Sequence, residues 1–166
     1  MTETSLHSPS GARPSADAPD EYITHVRTLW TLGLGGLVPF VSLSVLLVYA
    51  GRDFIAFDTL KLAFTAYSAV ILSFLGGIRW GATLMTGARG RSTLILSVLP
   101  SILAWILVLV PAPWCFAGFA VGFLAQGIWD IAAIRRGQLP EAFGRLRLVL
   151  TAIVVLCEVA AYFSTL

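Results

Sequence analysis

Residues 30–50 read WTLGLGGLVPFVSLSVLLVYA, a run of 21 residues that contains no charged side chain. A helix needs about 20 predominantly apolar residues to cross the hydrocarbon core of a bilayer, with a range of about 17–25. The run is therefore long enough to span a membrane as one helix. Because its apolar residues are continuous rather than alternating, it does not fit a strand of a transmembrane barrel.

The composition of the whole chain agrees with a membrane protein. Hydrophobic residues make up 57% of the 166 residues, charged residues make up only 12%, and the mean hydropathy is +0.85. Soluble domains carry about 25% charged residues, so this chain lacks the charge to cover a water-facing surface. The net charge of +2 comes from scattered basic residues, so no nucleic-acid partner is expected.

Four further apolar stretches follow the first along the chain. Together the five predict an all-α integral membrane fold, a five-helix transmembrane bundle, because a spanning backbone must satisfy its own hydrogen bonds. The polar segment 1–21 is rich in Ser, Pro, Ala and Gly and is predicted to be a disordered cytoplasmic tail. The predicted transmembrane domain covers 22–166, with helices at about 30–50, 62–85, 94–110, 114–134 and 147–163.

The distribution of basic residues predicts the orientation of the chain. One face of the predicted bundle holds eight arginines, whereas the other holds only Arg52 and Lys61. Cytoplasmic loops carry the excess of Lys and Arg, so the N-terminus is expected in the cytoplasm and the C-terminus outside. The eight arginines are Arg13, Arg27, Arg89, Arg91, Arg135, Arg136, Arg145 and Arg147.

Polar residues inside the predicted helices carry most of the functional information. An ionisable side chain at the centre of a bilayer costs about 2.5–3.5 kcal/mol on the insertion scale, so it normally faces the interior of a bundle. The second, fourth and fifth stretches each gather polar and small residues on one side at helical spacing, and these three sides are predicted to face one another. The candidate buried polar cluster consists of Arg79, Gln126, Asp130, Thr151 and Glu158.

Two roles stay open for the buried charges, a structural ion pair that locks the bundle and a catalytic or transport pair. Arg79 and Asp130 have opposite charge and lie at a similar depth in their helices, which predicts an ion pair between them. Glu158 lies nearer the opposite side of the membrane and has no basic partner in the pattern. Desolvation is expected to keep its carboxyl group neutral.

The sequence lacks the residue patterns of several kinds of catalytic, metal and phosphate-binding site. Both histidines, His7 and His25, precede the first predicted helix, and Cys115 and Cys157 stand alone in apolar stretches. Zinc motifs, phosphate-binding loops and nucleophile elbows are all missing. No catalytic residue, metal site or cofactor is therefore predicted.

Small residues on two of the helices predict close packing between helices. Gly77 and Gly81 on the second stretch, and Gly118 and Gly122 on the fourth, have the GxxxG spacing, and Gly76 adjoins the first pair. Such spacing lets two membrane helices approach closely.

The run SFLGGIRWG at 73–81 resembles the signature of the transmembrane-protein-69-like family, small multi-pass membrane proteins with a domain of unknown function, found in bacteria and mitochondria. The resemblance covers about residues 30–163, and further positions that carry it are Leu99, Pro100, Ala104, Trp105, Asp130, Pro140, Arg147, Leu150 and Thr151. It implies an inner-membrane location but brings no established activity. We expect the bacterial cytoplasmic membrane in preference to the mitochondrial inner membrane.

Two functions remain in competition. The favoured one is a non-enzymatic accessory, assembly or lipid-interacting protein, whose partners are membrane lipid and either another protein or a second copy of the chain. The alternative is a small carrier or sensor that binds a proton, an anion or an amphipathic ligand in a polar pocket between the second, fourth and fifth helices. An intramembrane enzyme that uses Asp130 and Glu158 is disfavoured, because the two carboxyl groups differ in depth.

Overall fold

Each of the five apolar stretches coincides largely with an α-helix. The computed structural model describes residues 18–85, 91–137 and 141–166. The helices are α1 (Ala18–Ala50), α2 (Phe57–Met85), α3 (Arg91–Val108), α4 (Trp114–Arg135) and α5 (Glu141–Thr165). The predicted all-helical fold is confirmed for these residues.

Three of the helices begin well before the apolar stretches that predicted them. Residues 18–21, predicted to belong to a disordered tail, lie in α1, and residues 1–17 of that predicted tail lie outside the described residues. The reason for the early starts is that a helix, once nucleated, continues through polar residues. α2 has 29 residues and is about 44 Å long at the usual rise, which matches the roughly 40–45 Å of a bilayer with its headgroups.

Four helices are long and apolar enough to cross a membrane. Their candidate spans are Arg27–Ala50, Phe57–Met85, Trp114–Arg135 and Gly144–Thr165. α3 has 18 residues and contains Pro100. Its length of about 27 Å falls short of a hydrocarbon core of about 30 Å. In the described residues the predicted five-helix bundle thus comprises four candidate spans and one shorter apolar helix, α3, whose length lies near the lower limit of about 17 residues for a span.

The five helices pack as a ring. α1 contacts α2 and α5, α3 contacts α2 and α4, and α4 contacts α5, while α2 also touches α4. Successive helices run in opposite directions, so α2 and α4 finish at the end of the bundle where α1, α3 and α5 begin. We call this the arginine end, because Arg79 and Arg147 lie there.

Two glycines allow helices to approach closely. A Cβ atom at Gly76 of α2 would lie 2.5 Å from the carbonyl oxygen of Ser97 in α3, and one at Gly127 of α4 would lie 2.8 Å from the side chain of Thr151 in α5. A larger residue at either position would force the helices apart. These contacts set the spacing of the α2–α3 and α4–α5 pairs.

An aromatic core fills the bundle away from the arginine end. Phe64 and Phe116 are fully buried, and their ring centroids lie 5.5 Å apart. Phe40 meets Phe64 edge to face at 5.8 Å and Phe123 at 5.7 Å. Such ring pairs stabilise beyond the area they bury. The aromatic core therefore packs α1, α2 and α4 against one another, and the polar cluster lies nearer the arginine end.

Candidate functional site, a buried arginine–aspartate cluster

Asp130 of α4 is the centre of a buried polar cluster at the arginine end. Its Oδ2 accepts a hydrogen bond of 2.7 Å from Nε of Arg147 in α5, and its Oδ1 accepts one of 3.3 Å from Nε2 of Gln126. The side chains of Arg147 and Asp130 are each only 5% exposed. A charge-assisted hydrogen bond in such a low-dielectric interior is strong, so this pair fixes α5 against α4.

Arg79 of α2 approaches the same carboxylate but forms no hydrogen bond with it. Its Nε lies 3.8 Å from Oδ1 of Asp130, which is an ion-pair distance and too long for a hydrogen bond. The guanidinium carbon lies 4.4 Å from the centre of the Trp129 ring, within the range of a cation–π contact. The side chain of Arg79 is 6% exposed, so its charge lies inside the bundle.

The local sequence explains why these groups meet. Gln126 and Asp130 are four residues apart on α4 and therefore lie on one face of that helix. Gly127 stands between them and lets α5 approach. Arg147 and Thr151 are again four residues apart, on the face of α5 that meets α4. The cluster thus depends on the glycine at position 127 as well as on its charged residues.

The cluster contains more positive than negative charge. Arg79 and Arg147 are both buried, and Asp130 is the one carboxylate that pairs with them among the described residues. Within that same part of the chain, Nε of Arg79, Nη2 of Arg147 and Oγ1 of Thr151 are buried and have no hydrogen-bond partner. A buried donor without an acceptor costs about 1–3 kcal/mol, and more when it is charged. These atoms therefore keep hydrogen-bonding capacity that water or an anionic group can satisfy.

Glu158 belongs to a separate polar contact. Oγ of Ser68 in α2 donates a hydrogen bond of 2.6 Å to Oε1 of Glu158. Glu158 is fully buried, and its Oε2 has no partner in the described ranges. On α5 it lies eleven residues beyond Arg147, about 16 Å along the helix axis. The structure thus brings Arg79, Gln126 and Asp130 together, with Thr151 beside them, but not Glu158.

The predicted packing glycines divide into two groups. Gly76 meets α3, Gly118 meets Leu107 of α3, and Gly122 meets Leu72 and Leu103. A Cβ at Gly77 or Gly81 would meet nothing within 4 Å. The GxxxG pair of α2 therefore faces outward, whereas the pair of α4 faces the bundle.

A cavity of about 180 Å³ lies beside the cluster, between α1, α2 and α5. Arg147 and Thr151 are the two polar residues that line it, and the rest of its wall is apolar. Leu32 and Phe74 also line it and are 70% and 61% exposed, so its mouth opens on the side of the bundle. A wider groove of about 370 Å³ lies between α2, α3 and α4 and reaches Gln126 and Trp129.

Sequence reasoning left three contributors out of the cluster and its surroundings. The spacing puts Arg147 and Thr151 on one side of the fifth helix, but the sequence does not predict that Arg147 is the hydrogen-bonding partner of Asp130. Trp129, which lies against Arg79, and Ser68, which donates to Glu158, are also absent from the predicted cluster. No group of three or more His, Cys, Asp or Glu side chains that could hold a metal occurs in the ranges 18–85, 91–137 and 141–166.

The helical bundle and its ion-paired interior define a multi-pass α-helical membrane protein. Residues 25–163 match a family described as "Protein of unknown function (DUF3429)". The chain is also similar to Transmembrane protein 69 of Xenopus tropicalis, with 33% identity over 140 residues, which is 81% of this chain and 53% of that protein. The chain therefore belongs to this transmembrane-protein-69-like family and spans about half the length of that relative. No solved structure matches it.

Proposed function

We propose that this protein is a non-enzymatic, lipid-interacting protein of the inner membrane that binds an acidic amphipathic lipid. The observation that carries the proposal is the charge of the buried cluster, in which two guanidinium groups face one carboxylate. An uncompensated guanidinium in an apolar bundle is costly. An anion that pairs with it removes that cost, and the membrane supplies acidic lipids on the same surface.

The orientation of the chain supports this proposal. We propose that all five helices, including the shorter α3, cross the bilayer. The positive-inside rule then puts the N-terminus and the arginine end, where α1 begins, on the cytoplasmic side. In this arrangement Arg147 lies three residues inside the span that begins at Gly144, about 4.5 Å deep. That depth is accessible to a lipid headgroup of the inner leaflet. We assign the bacterial cytoplasmic membrane as the location.

A lipid-retention experiment tests the proposed function. The full chain is placed in nanodiscs that contain equal amounts of phosphatidylglycerol and phosphatidylcholine, and the lipids that stay bound after detergent exchange are counted by native mass spectrometry. We expect phosphatidylglycerol to be retained preferentially. Arg79→Gln should abolish the preference, because the remaining Arg147–Asp130 pair is balanced, whereas Arg79→Lys should keep it.

A surface arginine supplies the matched control. Arg136 is exposed at the same end of the bundle, so Arg136→Gln removes an interfacial charge without touching the cluster. Equal retention of both lipids by the unaltered protein would refute the proposal. Loss of the preference in Arg136→Gln but not in Arg79→Gln would assign lipid binding to the surface and would refute it as well.

The second candidate function is a small carrier or sensor for a proton, an anion or an amphipathic ligand. It is favoured by the cavity next to Arg147, which lies between α1, α2 and α5 and not, as predicted, between α2, α4 and α5. A carrier moves its ligand across the bilayer, whereas a lipid-interacting accessory protein retains it. Transbilayer movement of a labelled anionic lipid in protein-containing vesicles therefore distinguishes a carrier from an accessory protein. Transport that disappears in Arg79→Gln would favour the carrier.

A further inference from the structure

We infer that the cavity between α1, α2 and α5 is a binding site for a single-chain carboxylate of the fatty-acid class, with the carboxylate against Arg147 and Thr151. This inference rests on the proposed function and names the ligand and its place. The first support is chemical. Arg147 is 4% exposed, its Nη2 has no hydrogen-bond partner among the described residues, and neither does Oγ1 of Thr151.

Both donors belong to the two polar residues that line the cavity. Both atoms are covered in the unliganded bundle, so the two side chains must turn toward the cavity before the two oxygens of a carboxylate accept hydrogen bonds from them. The carboxylate also brings a second negative charge to the cluster of Arg79, Asp130 and Arg147. The buried charges then balance, two guanidinium groups against two carboxylates.

The shape of the cavity selects a single chain. Its volume of about 180 Å³ is close to the roughly 150 Å³ of an engineered apolar cavity that accepts benzene. That volume holds a segment of one acyl chain but not two chains side by side, so any second chain would have to stay in the bilayer. The mouth beside Leu32 and Phe74, which are largely exposed, leaves the rest of the chain in the bilayer.

The cavity is polar at one end and apolar at the other, in the same order as a lipid of the inner leaflet. Its polar residues lie near the arginine end, whereas Phe40, Ile71 and Val154 line the part that is deeper in the bundle. Val154 lies seven residues beyond Arg147 on α5, about 10 Å along the helix axis. A fatty acid in the inner leaflet has this orientation, with its carboxylate near the interface and its chain toward the bilayer centre.

Photo-crosslinking with a diazirine analogue of palmitate tests the site. The full chain is reconstituted in phosphatidylcholine nanodiscs, irradiated with the probe, digested, and the labelled peptides are identified by mass spectrometry. We expect label on peptides that contain Phe40, Ile71 or Val154. Excess palmitate should compete with the probe, whereas hexadecanol, which has the same chain and no carboxylate, should not.

Two neighbouring glycines provide a matched pair of variants. Gly36 lines the cavity, and a Cβ there would meet only Tyr67 at 4.0 Å, so Gly36→Leu fills the cavity. Gly35 is exposed, does not line the cavity, and has open space around it. Labelling should fall about tenfold or more in Gly36→Leu, the equivalent of ~1.4 kcal/mol, and should be unchanged in Gly35→Leu.

A third variant keeps the test valid if Gly36→Leu folds poorly. Thr151→Val has the same shape and removes a hydroxyl that has no partner in the described ranges, so it should fold normally and bind palmitate more weakly.

Equal labelling of Gly36→Leu and Gly35→Leu, or competition by hexadecanol as strong as that by palmitate, would overturn the inference. If the protein retains phosphatidylglycerol but takes up no probe, the fatty-acid site is wrong and the proposed function stands; if it retains neither, both are wrong.

Discussion

Arg147 donates a hydrogen bond of 2.7 Å from Nε to Oδ2 of Asp130, across the interface of α5 and α4. The two side chains are 5% exposed, so the contact lies in the bundle interior. Removing one partner of a buried pair leaves the other charge uncompensated, which costs more than the pair itself contributes. The cluster therefore makes the bundle sensitive to any change of its one carboxylate.

Asp130→Asn should destabilise the protein by about 3–5 kcal/mol, because it leaves two buried guanidinium groups without a counter-charge. The measurement is the unfolding of the detergent-solubilised protein by sodium dodecyl sulfate, followed by tryptophan fluorescence. Asp58→Asn is the control. The Asp58 side chain is 92% exposed in its pair with Lys61, and removal of such a surface pair should cost no more than about 1 kcal/mol. Equal losses in the two variants would contradict the structural role of the cluster.

The two arginines should differ in their contribution to stability. Arg147→Gln removes the hydrogen-bonding partner of Asp130 but leaves Arg79 as its counter-charge, so we expect a loss of about 3 kcal/mol, the upper value for a hydrogen bond to a charged group. Arg79→Gln removes a charge that forms no hydrogen bond to Asp130 and should cost about 2 kcal/mol or less, the value of a desolvated cation–π contact. The same unfolding assay measures both. A larger loss for Arg79→Gln would mean that Arg79, and not Arg147, is the main partner of Asp130.

Adjacent glycines on α2 should respond in opposite ways to an added methyl group. Gly76→Ala places Cβ 2.5 Å from the carbonyl oxygen of Ser97, so α2 and α3 must separate, at a cost of about 1–3 kcal/mol. Gly77→Ala meets nothing within 4 Å and should be neutral or stabilising by up to ~1 kcal/mol, because alanine favours a helix. The order of the two melting temperatures checks the prediction. It is contradicted if Gly77→Ala is the less stable variant.

The sequence predicts the helices better than the contacts between them. The run 30–50 requires a helix because no other structure can bury it in a bilayer, and the similar depths of Arg79 and Asp130 were enough to pair them. The stronger partner, Arg147, is the first residue of the predicted fifth helix, 147–163, where a basic side chain is equally typical of a loop, so the pattern does not predict its pairing with Asp130. Whether Arg147 reaches Asp130 depends on the start of α5 at Glu141 and on the space left by Gly127. Both features depend on how the helices pack against one another, which the pattern of residues along one helix does not show.

Topology reporters test the orientation. A reporter fused after Leu166 should be active outside the cytoplasm, and one inserted in the loop 86–93 should be active inside it, as the positive-inside rule predicts for five spans. The same insertion in the segment 51–56, between α1 and α2, is the control and should report the outside. If the reporters at Leu166 and in loop 86–93 fall on the same side, α3 does not cross the membrane and the C-terminus is cytoplasmic.

Native mass spectrometry of the protein, gently extracted from its own membrane, tests the central claim most directly. The claim is that the surplus guanidinium of the Arg79–Asp130–Arg147 cluster binds an acidic amphipath. We predict a reproducible adduct with the mass of an acidic lipid or a fatty acid, present on the unaltered protein and on Arg79→Lys but absent from Arg79→Gln. A bare protein, or adducts of bulk lipid that are the same in all three proteins, would contradict the account and leave the cluster as a structural lock.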